Sequence, residues 1–201
     1  RADRARLLLA DALAQQGATD RAMAVLDSVP MDSIHARVAA VRRVQVLTDA
    51  GRRKEALAIA APLAAAPGAE AADLQRVGTL YLALDRPAEA VPLFERAVAQ
   101  AGDAAGWADW LRYGAALDRA GRWKEARAAL ERARTLRPDE PIVLNYLGYA
   151  MVEHGESGAR AMLEQAVRLK PDDAAIADSL GWALFRGGEV ARALPLIERA
   201  A

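Results

Sequence analysis

An all-α solenoid of about six stacked helical hairpins is the fold that this sequence of 201 residues predicts, and three observations predict it. Gly17, Gly51, Asp85, Gly121, Gly155 and Gly188 are turn sites separated by 34, 34, 36, 34 and 33 residues. Ala22, Ala56, Ala90, Ala126, Ala159 and Ala193 follow those turns at intervals of 34, 34, 36, 33 and 34. Each interval is filled by two apolar patterns of helical period, and no segment reads as a strand. The array reads as one continuous stack over 1–201, with repeats at about 1–33, 34–70, 71–106, 107–139, 140–173 and 174–201.

The repeats can be justified in order. The first keeps Leu9, Ala10, Leu13, Gly17, Ala22 and Leu26; in the second, Val44 and Leu63 stand where small residues are expected, which predicts a wider helix separation. Gly78, Tyr81, Ala90, Phe94 and Ala97 define the third, and extra residues at 101–106 lengthen its connection to the fourth. The fourth is the most complete: Trp110, Tyr113, Gly114 and Leu117 precede the Gly121 turn, Ala126, Leu130 and Ala133 follow it, and Pro138 closes it. Gly114 and Ala126 carry little or no side chain where two antiparallel helices approach, while Trp110, Leu117 and Leu130 fill the space beside them. Leu147, Gly148, Gly155, Ala159, Leu163, Ala166 and Pro171 repeat the pattern, as do Leu180, Gly181, Gly188, Ala193, Ile197 and Ala200. Pro62, Pro92 and Pro195 fall inside second helices, where each removes a backbone donor and bends its helix locally.

This arrangement resembles the tetratricopeptide repeat across essentially the whole chain. The resemblance implies a right-handed α-α superhelix whose first helices line a concave face, and a protein or peptide partner held there. Residues 144–149, Leu-Asn-Tyr-Leu-Gly-Tyr, and 178–182, Asp-Ser-Leu-Gly-Trp, look like a subgroup from bacterial envelope proteins that includes outer-membrane lipoprotein adaptors for periplasmic processing proteases. That likeness implies a location at the bacterial periplasm or the periplasmic face of the outer membrane, with the cytoplasm as the alternative. The sequence starts inside one helical pattern and stops inside another, as a fragment of a longer chain would.

Composition narrows the partner class. Lys plus Arg and Asp plus Glu both number 27, and no block of like charge exists, so nothing resembles a footprint for nucleic acid or anionic membrane. An RNA-binding helical repeat of similar period is disfavoured on the same ground. The longest uncharged run, residues 56–69, is too short to span a bilayer and contains two prolines. The absence of cysteine removes thiolate chemistry and disulfides and is compatible with either redox compartment.

Counting back from each turn finds the candidate groove. Nine residues before come Leu8, Arg42, Arg76, Arg112, Tyr146 and Ser179; six before come Asp11, Gln45, Thr79, Ala115, Tyr149 and Trp182; three before come Ala14, Thr48, Leu82, Asp118, Val152 and Phe185. Gln75, Asn145 and Asp178 occupy the column ten before the turn, where they bond either a ligand backbone or water. Three successive guanidinium groups followed by aromatics suit an extended peptide with a carboxylate and apolar side chains. Two other readings stay open: the arginines pair with carboxylates of adjacent repeats or are solvated, and the aromatics pack between first helices.

No enzyme is expected, and no cofactor or metal. His154, Glu153 and Ser157 make the nearest approach to a hydrolytic set, but a turn gathers such residues routinely, and they read as solvated. Asp32 and His35 supply two metal ligands where a site needs three or four. In the run 171–173, Pro-Asp-Asp, proline stops one helix and an acidic residue caps the next. Leu194 and Ile197 in the last helix offer apolar surface for self-association through the C-terminal helix.

Overall fold

The computed structural model describes residues 2–200. Among them the chain forms twelve α-helices and no strand, so the fold is all-α. They are α1 (Ala2–Gln15), α2 (Thr19–Asp27), α3 (Ala36–Asp49), α4 (Arg53–Ala65), α5 (Ala71–Ala83), α6 (Pro87–Ala101), α7 (Trp107–Arg119), α8 (Trp123–Leu136), α9 (Pro141–Glu153), α10 (Ala159–Leu169), α11 (Ala174–Arg186) and α12 (Val190–Ala200). The chain divides into two compact units, Arg1–Gln100 and Ala101–Ala201. The longer connection expected at 101–106 falls at this division and contains a short 3₁₀ turn, Gly102–Ala104.

All six turns are built alike. Gly17, Gly51, Gly121, Gly155 and Gly188 have φ between +68° and +81°, and Asp85 has φ +56°. At every turn the left-handed residue donates its N–H to the carbonyl three residues back, and the next residue donates to the carbonyl five back, as in Gly121 to Asp118 (2.9 Å) and Arg122 to Leu117 (2.9 Å). This is the paired bonding of a Schellman cap, which satisfies carbonyls left open at a helix end.

Within each hairpin a small residue lets the helices approach. A Cβ added at Gly114 would lie 2.7 Å from Leu130 Cγ, one at Gly148 2.8 Å from Leu163 Cγ, and one at Gly78 2.8 Å from the Phe94 ring. In the second hairpin Val44 and Ala60 occupy the corresponding positions, and both are fully buried. Bulk added on the first helix is thus offset by bulk removed from the second. In the first unit one core cluster gathers Leu7, Leu13, Leu26 and Val29, and another gathers Leu47, Leu74, Val77 and Leu80. In the second unit Leu130, Leu144, Leu147, Met151 and Ile176 form one cluster, and Leu163, Leu180 and Leu184 another. Pro62, Pro92 and Pro195 lie inside α4, α6 and α12 as expected.

Candidate functional site

The candidate residues separate by unit. Arg42, Gln75, Arg76 and Thr79 belong to the first. Arg42 reaches Asp11 of the preceding hairpin at 3.1 Å. Arg76 lies 3.0 Å from Asp73, a buried carboxylate that also receives Arg37 of the preceding hairpin at 2.6 Å. Thr79 is exposed and returns its hydroxyl to the Gln75 carbonyl at 2.8 Å; Gln75 is half-buried. In the second unit Arg112 sits 3.5 Å from Asp109 on its own helix. Each of the three arginines therefore has a carboxylate partner within its own unit.

The aromatics behave differently. Tyr149 from α9, together with Asp178, Trp182 and Phe185 from α11, lines one cleft of about 450 Å³, with Ile197 of α12 completing the wall. Helix boundaries position these groups. Proline at its first position starts α9, and Asp173 caps α11 by accepting the Ala175 and Ile176 amides at 3.1 and 3.2 Å. The Lys170 hydrogen bond, helped by those amides, holds the Asp173 carboxyl below the ordinary carboxylate range. Gly181 sets the depth: a Cβ there would meet Ile197 Cγ1 at 2.7 Å, so its absence draws α12 close enough for Ile197 to reach the cleft.

Inside the cleft Trp182 stacks on Phe185, with centroids 5.7 Å apart and planes 24° apart. The indole N–H donates to Glu153 Oε1 at 2.6 Å, and Arg186 lies 5.7 Å over the same ring. These contacts fix Trp182 as a rigid wall while Tyr149 and Phe185 remain 42% and 48% exposed. Burial, and then the charges of Glu153, Asp178 and Asp118, raise the Tyr149 hydroxyl above its ordinary pKa, so it is a neutral donor at physiological pH. Tyr146 is half-buried against the core, and burial followed by Asp118 pushes its hydroxyl up to about 12. It packs beneath the face instead of lining the cleft. Asn145 is half-buried, its side-chain oxygen enclosed without a hydrogen-bond partner among the described residues. Ser179, placed in an exposed column by counting, is buried and bonds the Ala175 carbonyl.

Glu153 and His154 of the nearest approach to a hydrolytic set make contacts with other groups. His154 stacks on Trp123 at 4.2 Å and 10° and shares a 2.9 Å contact with Asp118, while Glu153 is engaged with Trp182. His154 remains an exposed turn residue, as expected, and its ring also contacts Trp123 and Asp118 of the preceding hairpin. Trp123 donates to Glu156, which also pairs with Arg127. No group of three or more metal-ligating side chains occurs among the described residues. None of their helices is long and apolar enough to cross a membrane.

Family comparison agrees with this architecture. Two tetratricopeptide repeat models match the chain, one over residues 107–151 and the other over 1–33 and 157–201, together more than half of its length. The chain belongs to the tetratricopeptide repeat family, and its class is that of a protein-interaction scaffold. No curated protein matches it significantly in sequence. Among solved structures it is similar to PilW, a widely conserved type IV pilus biogenesis factor, with 17% identity and a TM-score of 0.79 over 98% of this chain and 90% of that one. MamA from Desulfovibrio magneticus RS-1 aligns with 17% identity and a TM-score of 0.75 over 85% and 96%. YrrB, described as a TPR protein with an unusual peptide-binding site, aligns with 19% identity and a TM-score of 0.61 over 81% and 84%. At these identities the likeness concerns the fold.

Proposed function

We propose that this chain is a non-enzymatic adaptor that holds a peptide segment of a protein partner on the first-helix face of its second unit. The observation that carries the reading is the cleft of Tyr149, Asp178, Trp182, Phe185 and Ile197, where exposed aromatic walls meet one acidic group. Rigid aromatics around a concavity concentrate binding energy in few residues and lose little side-chain entropy when a ligand settles between them. The partner's gain is proximity to whatever else the scaffold holds. The carboxylate-binding role suggested by Arg42, Arg76 and Arg112 is not part of this reading, because their charges are already matched. An assembly or protease-adaptor role at the periplasmic face of the bacterial envelope belongs to the proposal through the resemblance of residues 144–149 and 178–182.

The test is affinity capture of the natural full-length protein from its own cells beside a Tyr149→Ala, Trp182→Ala version of equal helicity. A protein retained by the first and lost from the second supports the adaptor reading; equal retention by both removes the cleft from it. A second reading, self-association through α12, is favoured by Val190 and Leu194, each 54% exposed. Light scattering over a concentration series separates the two: a mass that rises with concentration and falls on Leu194→Glu substitution supports self-association.

A further inference from the structure

We infer that the cleft selects a segment in which an apolar side chain stands beside a lysine or arginine, and that Asp178 is the residue that reads the basic group. The inference rests on the proposed docking function and specifies its ligand. The sequence had suggested the opposite polarity, a partner carboxylate met by arginines.

The charges around the cleft decide between these. Asp178 is exposed, lines the cleft, and makes no hydrogen bond or ion pair among the described residues. Its acidic neighbours are already occupied: Glu153 takes the Trp182 indole at 2.6 Å and lies 3.7 Å from Arg186, and Asp118 takes His154 at 2.9 Å. The nearby cation, Arg186, is committed to Glu153 and to the Trp182 face. What remains for a ligand is the unpartnered Asp178 carboxylate at the edge of an apolar concavity.

The ligand chemistry follows. A leucine- or phenylalanine-sized side chain can enter the space between Tyr149, Trp182, Phe185 and Ile197. A neighbouring ammonium or guanidinium then reaches Asp178, and its stem can lie along the aromatic faces. A partner carboxylate at the same place would meet like charge with no unengaged cation lining the cleft, so electrostatics rejects it as well as favouring the basic segment.

The experiment is selection of short random linear peptides on the full chain at low salt, followed by affinities for the enriched peptides. Wild-type chain, Asp178→Asn, Asp178→Lys and Tyr149→Ala, Trp182→Ala are compared. The expected consensus is an apolar residue beside Lys or Arg. Affinity should fall about threefold in Asp178→Asn and about tenfold in Asp178→Lys, with the difference shrinking at physiological salt. Enriched peptides that need Tyr149 and Trp182 but are acidic or neutral, or are indifferent to Asp178, overturn this inference and leave the docking function standing. Enrichment insensitive to the Tyr149→Ala, Trp182→Ala change, or no enrichment, overturns both.

Discussion

Gly114 and Leu130 show what a single hydrogen atom is worth in this chain. Alanine is the better helix former by about 1 kcal/mol, so an exposed Gly→Ala change in a helix is stabilising. At Gly114 the added Cβ would meet Leu130 Cγ at 2.7 Å, Leu130 Cδ2 at 2.8 Å and the Ala126 carbonyl oxygen at 3.3 Å. The side chain can yield in part, but the backbone oxygen belongs to a helix packed on the other side, and overpacking of this kind costs about 1–3 kcal/mol. Gly114→Ala is therefore expected to destabilise the protein by about 1–2 kcal/mol in urea unfolding, against its helix propensity. In the Leu130→Ala background the same change should cost about 1 kcal/mol less, because the Leu130 part of the clash is removed while the Ala126 carbonyl contact stays. A more stable Gly114→Ala protein would show that the hairpin has room to spare. The chain already contains the reciprocal solution in Val44 with Ala60, which argues that the sum of the two volumes is what the hairpin conserves.

Turns and their neighbours set the behaviour of whole elements. After three turns an arginine is followed three residues later by a glutamate: Arg52 with Glu55, Arg86 with Glu89 and Arg122 with Glu125, all in contact at 2.6–2.8 Å. The glutamate occupies the first turn of the second helix, where the helix dipole also favours a negative charge. The arginine hydrogen bond is the leading reason that each of these glutamates lies below its ordinary carboxylate pKa. A folded value below the unfolded one means the contribution to stability is complete above the unfolded pKa and disappears as pH falls through the folded pKa. The Tm difference between wild type and a Glu55→Gln, Glu89→Gln, Glu125→Gln protein is expected to be present at neutral pH, to shrink with salt, and to vanish in acid. A difference constant across pH would assign these glutamates a packing role. The repeated Arg-x-x-Glu spacing is visible in the sequence beside every one of these turns. At the fifth and sixth turns Glu156 and Glu189 replace the arginine, and Glu189 pairs instead with Arg192 at 2.6 Å and with Arg160 of the preceding hairpin.

At the scale of the molecule, periodic information was legible and pairwise information was not. Turn spacing located the left-handed residue that ends the first helix of all six hairpins, an aspartate among five glycines, because each repeat uses the same cap; the left-handed Gly102 and Gly158 lie outside that period. Pairing of the arginines with carboxylates of adjacent repeats was one of the readings the sequence left open, but the particular cross-repeat partners were not legible: Asp11 lies in the hairpin before Arg42, and Asp73, three residues before Arg76 on one helix, is shared with Arg37 from the hairpin before it. Counting columns grouped Tyr149, Trp182 and Phe185 correctly, but it placed Tyr146 and Ser179 on the same exposed face. A helical column drifts into the interface where neighbouring first helices pack, and only the structure fixes where that occurs. Ile197 joined the cleft through the missing side chain of Gly181, a signal present in the sequence but read there as packing alone.

Where a partner touches the chain decides whether α9 and α11 form the docking face. Hydrogen–deuterium exchange of the full chain should be measured with and without the partner recovered by affinity capture. The expected result is new protection in α9 and α11 at the segments carrying Tyr149, Asp178 and Trp182. Protection confined to the second helices α8 and α10, or to the first unit, would contradict it.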